Sequence, residues 1–191
     1  MPDRVCTILS TGSLMFGESP VPANRNAGIP GIIEEVPFIK IILNTDENTR
    51  GQILSYSRQS LAAVFTSANA VRAVTAALDD IPDWDIYCVG NETRKQVACF
   101  FGSTRILGAA GNAEGLAERI VPQEGEKKIV FFCGDQRRNV LPDKLNEKGI
   151  EWQELVVYQT RHTPVRLTKN YDAILFFSPT AVASFFSINM V

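Results

Sequence analysis

The sequence predicts an α/β protein: two flavodoxin-like parallel-sheet lobes joined by a two-stranded β-ladder. Three observations carry this expectation. Short apolar runs alternate with helix-length amphipathic segments, and that alternation buries both faces of a largely parallel sheet. A strand–Ser–helix segment, Phe65 to Val71 (FTSANAV), recurs as Phe176 to Val182 (FFSPTAV), with Ser67 and Ser178 111 positions apart. The two longest extended runs, Val36 to Leu43 and Glu151 to Thr160, bracket the regular middle. A chain leaving one lobe near residue 40 and returning near residue 160 would lay those runs side by side. The lobes are therefore expected at residues 1–40 with 161–191, and at residues 41–160.

The elements follow in order. Val5 to Leu9 is a β-branched, apolar first strand; Ser10-Thr11-Gly12-Ser13 and a stretch with Gly17, Pro20, Pro22, Gly28, Pro30 and Gly31 read as a long irregular segment. Val36 to Leu43 is extended, and Asn44 to Arg50 is a polar linker. Leu61 to Phe65 is a buried strand with exit Thr66-Ser67, and Ala68 to Leu78 a helix with Val71, Val74 and Leu78 on one face. Asp85 to Val89 is the next strand, Gly90-Asn91 its exit and Glu92 to Phe101 its helix. A short strand at Thr104 to Leu107 leads to Asn112, the N-cap of a helix at Ala113 to Ile120. Lys128 to Cys133 is a strand with exit Gly134-Asp135, followed by a helix with Pro142 in or near its first turn and ending at Lys148. Gly149 stands where a left-handed residue closes a helix. Glu151 to Thr160 is extended, and Ala173 to Phe177 is a last strand with exit Ser178-Pro179-Thr180.

Composition narrows the partners. With 19 Lys+Arg against 21 Asp+Glu and a net charge of −2, the chain has no bulk attraction to nucleic acid or anionic lipid. Ala173 to Val191 carries no charge over 19 residues, but Ser178, Pro179, Thr180, Ser184, Ser187 and Asn189 interrupt it, so strand, turn and helix explain it better than a membrane span. Cys6, Cys88, Cys99 and Cys133 include no C-x-x-C pair, and Cys6, Cys88 and Cys133 sit in apolar runs as expected of free buried thiols. That usage, with no basic-plus-apolar leader, predicts a cytoplasmic protein. A single His162, in the polar run Thr160 to Pro164, excludes a multi-His metal site and reads as an exposed connector residue.

Thr66-Ser67, Gly90-Asn91, Gly134-Asp135 and Ser178-Pro179 all stand where a strand ends and a helix begins. That edge of a parallel sheet presents free N–H groups and positive helix ends to ligands. Ordinary capping would place the same residue types there. Asp135, beside Arg137 and Arg138, reads as a solvated surface cluster. Tyr158, near the end of the long second run, is the one acidic side chain expected near the lobe junction, although a strand tyrosine also serves packing.

Ile86 to Thr93 (IYCVGNET), Gly111 to Ala117 (GNAEGLA), Phe131 to Ile150 (FFCGDQRRNVLPDKLNEKGI) leading to Val156 to Thr160 (VVYQT), and the pair Val64 to Ser67 (VFTS) and Leu175 to Pro179 (LFFSP) together resemble the uroporphyrinogen-III synthase family. The resemblance implies two flavodoxin-like lobes with the active site in their cleft. It also implies closure of linear hydroxymethylbilane, a polycarboxylate tetrapyrrole precursor, with inversion of the last pyrrole ring through a spiro intermediate and loss of water, without metal or organic cofactor. Thr66, Ser67, Gly90, Asn91, Thr93 and Ser178 match substrate-binding positions, and Tyr158 matches the tyrosine proposed to assist departure of the hydroxyl. Where many relatives carry Arg-Pro after the first strand, this chain has Gly12-Ser13. The family continues past a Ser-Pro motif like Ser178-Pro179, which leads us to expect a C-terminally incomplete first lobe, low activity, and association in place of the family's usual monomer. Two other readings stay open: a flavodoxin-like redox protein using Ser10 to Ser13 as a phosphate loop, and a non-catalytic two-lobed binder of an acidic metabolite.

Overall fold

A computed structural model describes residues 6–12, 31–120 and 127–189. In chain order its strands and helices are β1 (Cys6–Ser10), β2 (Gly31–Glu35), β3 (Ile39–Leu43), α1 (Glu47–Ser57), β4 (Leu61–Phe65), α2 (Ala68–Ala77), β5 (Asp85–Val89) and α3 (Asn91–Phe101). After these come β6 (Ile106–Ala110), α4 (Ala113–Arg119), β7 (Lys128–Gly134), α5 (Val140–Glu147), β8 (Trp152–His162), β9 (Ala173–Leu175) and α6 (Pro179–Phe186). The chain divides into two compact units, Met1–Lys40 with Arg161–Val191, and Ile41–Thr160. The irregular segment expected after Gly12 falls, from Ser13 to Pro30, outside the described residues.

In the larger unit the strand order is β3-β8-β7-β4-β5-β6. The ladders from β8 through β7, β4 and β5 to β6 are all parallel. Alternation along the strands sorts side chains to two faces, as period-2 geometry requires. Leu61, Ala63, Phe65, Val130, Phe132, Leu155 and Val157 pack with Ile53 of α1, Val71 and Val74 of α2 and Val97 of α3. Ala62, Val64, Ile129, Phe131 and Cys133 pack on the other face with Leu116 of α4 and with Leu141 and Leu145 of α5. Both faces are thus covered, which is why these strands read as near-continuous apolar runs.

The smaller unit holds a three-stranded parallel sheet of order β2-β1-β9. Leu9, Phe38 and Phe185 form its core. Asn189 closes α6 onto the preceding segment: its Oδ1 accepts the Leu167 N–H at 2.9 Å, and its Nδ2 donates to the Val165 carbonyl at 2.9 Å. Ile32, Phe177 and Phe186 stay 61%, 52% and 51% exposed.

Several boundaries differ from expectation for identifiable reasons. The stretch read as a polar linker contains the first turn of α1. Asp46 is its N-cap, Oδ1 accepting the Thr49 N–H at 2.9 Å and Oδ2 the Thr49 hydroxyl at 2.7 Å. That helix buries only Thr49 and Ile53, too little apolar periodicity to announce itself. Val36 to Leu43 is not one run, since Pro37 has no N–H to give a ladder; Val36 and Phe38 donate instead to the Ser10 and Thr11 carbonyls at 2.9 and 3.4 Å. A strand at Gly31–Glu35, pairing with β1, was not expected. The run at Thr104 to Leu107 is a 3-10 turn at Ser103–Arg105 followed by a strand that continues to Ala110. Gly108 belongs in that strand because a Cβ there would meet Tyr87 Cδ1 at 2.7 Å. The last strand stops at Leu175, and α6 starts at Pro179, whose fixed φ suits a first helical position. Cys6 is half-buried, not buried.

Candidate functional site

From β4 the chain passes through α2 to β5 on one side of the sheet, and from β7 it passes through α5 to β8 on the other side. Helices α2 and α5 lie on opposite faces. Between the carboxyl ends of β4 and β7 they therefore diverge, opening the crevice in which parallel α/β sheets hold ligands. Two of the sequence-predicted exits, Thr66-Ser67 after β4 and Gly134-Asp135 after β7, border that crevice.

Tyr158 reaches it through a break in strand register. On β8, Val156 pairs with Cys133, but Gly134 pairs with Tyr158, so two residues oppose one: a β-bulge. Strict alternation would send Tyr158 to the face opposite Val157, toward α4 and α5. The bulge places Val157 and Tyr158 on the same side, against the α2 and α3 cluster. The Tyr158 hydroxyl then donates to Ser67 Oγ at 3.2 Å. Ser67 is the N-cap of α2, its Oγ also accepting the Asn69 N–H at 3.1 Å, so the phenol is tied to a fixed point of the scaffold. Burial pushes the Tyr158 phenol above its ordinary value, with the Ser67 hydrogen bond opposing. The side chain is accordingly held neutral, as a donor, through the physiological range.

Next to this pair, Gly90 caps α3 with φ +83°, a conformation that L side chains rarely adopt. Its N–H donates to the Ala110 carbonyl at 2.8 Å. Asn91 is exposed at the first position of α3, and Thr93 is buried in its first turn. Gly90, Asn91, Arg94, Ala110, Gly111 and Arg119 line a shallow pocket of about 270 Å³. Neither arginine is ion-paired among the described residues, so their charge is available beside the positive end of α3. Arg94 and Arg119 were not singled out in the sequence; the signal for Arg94 was its place one turn after Asn91. A larger cavity of about 910 Å³ lies at the opposite, amino edge of the sheet, lined by Asp85, Lys127, Lys128, Gly149 and Trp152 among others. Among the described residues it meets no helix N-terminus and none of the predicted site residues.

A model of the family described as uroporphyrinogen-III synthase HemD matches residues 24–190. The chain belongs to the uroporphyrinogen-III synthase family. Among solved structures, the uroporphyrinogen-III synthetase of Helicobacter pylori is 15% identical with TM-score 0.65, over 98% of this chain and 80% of that one. A mutant uroporphyrinogen III synthase from the extremely thermophilic bacterium Thermus thermophilus is 12% identical with TM-score 0.60, over 84% of this chain. The match spans 64% of the length of the Thermus protein. At these identities the likeness is one of fold, and it accords with parallel α/β sheets.

Within this family member, Thr66 is half-buried directly before the Ser67 cap. Ser178 belongs to the smaller unit, where it is the N-cap of α6 and its Oγ accepts the Ala181 N–H at 3.1 Å. Both serines of the internal repeat are thus helix caps after a strand. Asp135 is exposed as expected but not merely solvated. Its Oδ1 accepts the Thr160 N–H at 2.8 Å, and its own N–H donates to the Tyr158 carbonyl at 3.1 Å. Arg137 pairs instead with Glu154. The phosphate-loop reading of Ser10 to Ser13 fails where the loop is described: the Ser10 hydroxyl donates to the Gly12 carbonyl at 2.7 Å and Thr11 Oγ1 to the Leu175 carbonyl at 2.9 Å, so both are spent on backbone. Ser13 lies outside the described residues. His162 is exposed at the end of β8.

The cysteines divide by environment. Burial, with the Glu154 carboxylate second, pushes the Cys133 thiol up to about 12. Burial raises Cys88 as well, while Cys99 is exposed. Iodoacetamide at pH 8 should therefore modify Cys99 in the native protein and reach Cys88 and Cys133 only on unfolding, as peptide mass spectrometry would show. Because folding raises the Cys133 value, the native state keeps a proton that the unfolded state loses. Stability contributed by Cys133 is therefore full below its ordinary value of 9.0 and lost as pH rises toward about 12.

Proposed function

We propose that this protein closes hydroxymethylbilane to uroporphyrinogen III, inverting the last ring and releasing water. Thr66, Ser67, Asn91, Thr93 and Ser178 bind the carboxylate-rich substrate through hydroxyls and backbone N–H groups, Gly90, whose own N–H is held by the Ala110 carbonyl, leaves room for the substrate to approach the start of α3, and Tyr158 is the proton donor. The observation that carries this is the neutral Tyr158 hydroxyl anchored on Ser67 at the crevice between β4 and β7. As the hydroxymethyl C–O bond breaks, pyrrole electrons expel the hydroxyl and the Tyr158 O–H protonates it, so that it leaves as water. The substituted α-carbon of the last ring then bonds to the carbon that lost the hydroxyl, forming the spiro intermediate; its older bond to the neighbouring methylene breaks and re-forms at the free α-carbon of the inverted ring, and the hydrogen which that carbon gives up to restore aromaticity reprotonates the phenolate. Most of the acceleration comes from holding the reactive chain in one conformation, with proton donation adding to it. Helix-end N–H groups suit a ligand with many carboxylates, because each meets charge without demanding a buried cation. No described helix is long and apolar enough to cross a membrane. With four free cysteines, this supports a cytoplasmic location.

Incubation with freshly prepared hydroxymethylbilane, followed by separation of the porphyrin isomers after oxidation, tests the assignment. Closure without inversion yields the symmetric isomer I, so the isomer ratio reports the enzyme even at a low rate. Excess isomer III is expected; isomer I alone, as in a protein-free control, would refute the assignment. On the Tyr158 account the turnover number should also stay flat through pH 9, because a raised phenol loses its proton only above its ordinary value of 10.0. A fall centred below pH 9 in Tyr158-containing protein, absent from Tyr158→Phe, would contradict it.

A further inference from the structure

The bulge that turns Tyr158 toward Ser67 is held from both strands. Opposite Tyr158 stands Gly134, where a Cβ would lie 2.4 Å from Tyr158 Cζ, 2.6 Å from Cε2 and 2.8 Å from the hydroxyl oxygen. Those distances are far inside van der Waals contact, so the phenol ring occupies the space that any side chain at 134 would fill. The next residue fastens the backbone on either side of the ring. The Asp135 N–H donates to the Tyr158 carbonyl at 3.1 Å, and Asp135 Oδ1 accepts the Thr160 N–H at 2.8 Å. Gln136 Nε2 donates to the Thr160 carbonyl at 3.0 Å. Three consecutive residues of the β7 exit thus grip the bulged end of β8 at residues 158 and 160.

We infer that Gly134 and Asp135 are positioning residues for the Tyr158 hydroxyl: Gly134 leaves the room for the ring, and Asp135 fixes the bulged register that brings the hydroxyl to Ser67. The inference rests on the assignment of Tyr158 as proton donor, and it names the residues on which that role depends. Without the clamp, β8 can pair with β7 in regular register, which sends Tyr158 to the other face of the sheet.

Gly134→Ala, Asp135→Ala, Asp135→Asn and Tyr158→Phe, each alone and the first two also combined with Tyr158→Phe, test this in the full chain. Two quantities are read: turnover of hydroxymethylbilane, and the alkaline ultraviolet titration of Tyr158, taken as the difference between proteins with and without its hydroxyl. Gly134→Ala and Asp135→Ala should each lower kcat about tenfold or more, with KM changed less than threefold, and move the Tyr158 titration down toward that of free tyrosine. Asp135→Asn keeps an oxygen for the Thr160 N–H and should recover most of the rate. In the Tyr158→Phe background neither substitution should cost a further threefold. If Gly134→Ala does not fold, Asp135→Ala and its Asn counterpart decide alone. Unchanged kcat and titration in Asp135→Ala, or full additivity with Tyr158→Phe, would overturn the inference. A shifted titration with Tyr158→Phe fully active would leave the clamp standing and remove Tyr158 from the chemistry.

Discussion

Phe132→Ala should cost the larger unit about 3–5 kcal/mol of stability, the usual range for emptying a fully buried phenylalanine site. Phe132 has no exposed surface. Its ring stacks on Phe65 at 5.3 Å and Trp84 at 5.4 Å and meets the Tyr56 ring edge-on at 6.1 Å. These neighbours come from β4, α1 and the segment before β5, and none can collapse into the void without leaving its own partners. Trp84 is held further by its Nε1, which donates to the Tyr56 carbonyl at 3.2 Å. Against a typical total of about 5–15 kcal/mol, such a loss leaves the unit marginal. Urea unfolding followed by Trp84 fluorescence would measure it; a loss below about 1 kcal/mol would mean that this aromatic cluster does not anchor the sheet.

Tyr158→Phe should lower kcat about ten- to a hundredfold with KM little changed, the lower part of the range for a positioned proton donor. That corresponds to about 1.4–2.7 kcal/mol in the barrier. The ring keeps its packing against the α2 and α3 side of the sheet and its place over Gly134, while the hydrogen bond to Ser67 is lost. Stability should therefore fall by only about 1 kcal/mol, the net worth of one hydrogen bond. The residual rate comes from the substrate-orienting groups that the substitution leaves in place. An unchanged kcat in a folded variant would remove Tyr158 from the mechanism.

The parallel sheet was legible because burial on both faces leaves apolar runs such as Leu61 to Phe65 and Lys128 to Cys133, each ended by Ser, Gly or Asp. The caps at Ser67, Asn112 and Ser178 were legible as residue types placed just before helical periodicity. Helix α1 was not, since a helix with one buried apolar residue, Ile53, leaves no stripe to read. Nor was the strand at Gly31–Glu35: Ile32 is exposed and the segment opens after a Pro/Gly-rich stretch. At the site, the sequence supplied Tyr158 and Ser67 separately but could not join them. Two-residue periodicity puts Tyr158 on the wrong face, and only the register shift opposite Gly134 brings it round. Asp135 was read as solvated because its neighbours Arg137 and Arg138 are charged, whereas its partner, the Thr160 N–H, comes from a strand 25 residues later.

The most direct measurement of where this protein acts is the change in backbone amide chemical shifts on anaerobic titration with uroporphyrinogen III. Binding at the carboxyl edge of the larger sheet predicts that the amides of Ser67, Gly90, Asn91, Thr93 and Tyr158 move together and saturate at one affinity. Shifts confined to Asp85, Lys127, Lys128 and Trp152, around the larger cavity at the amino edge, would contradict it.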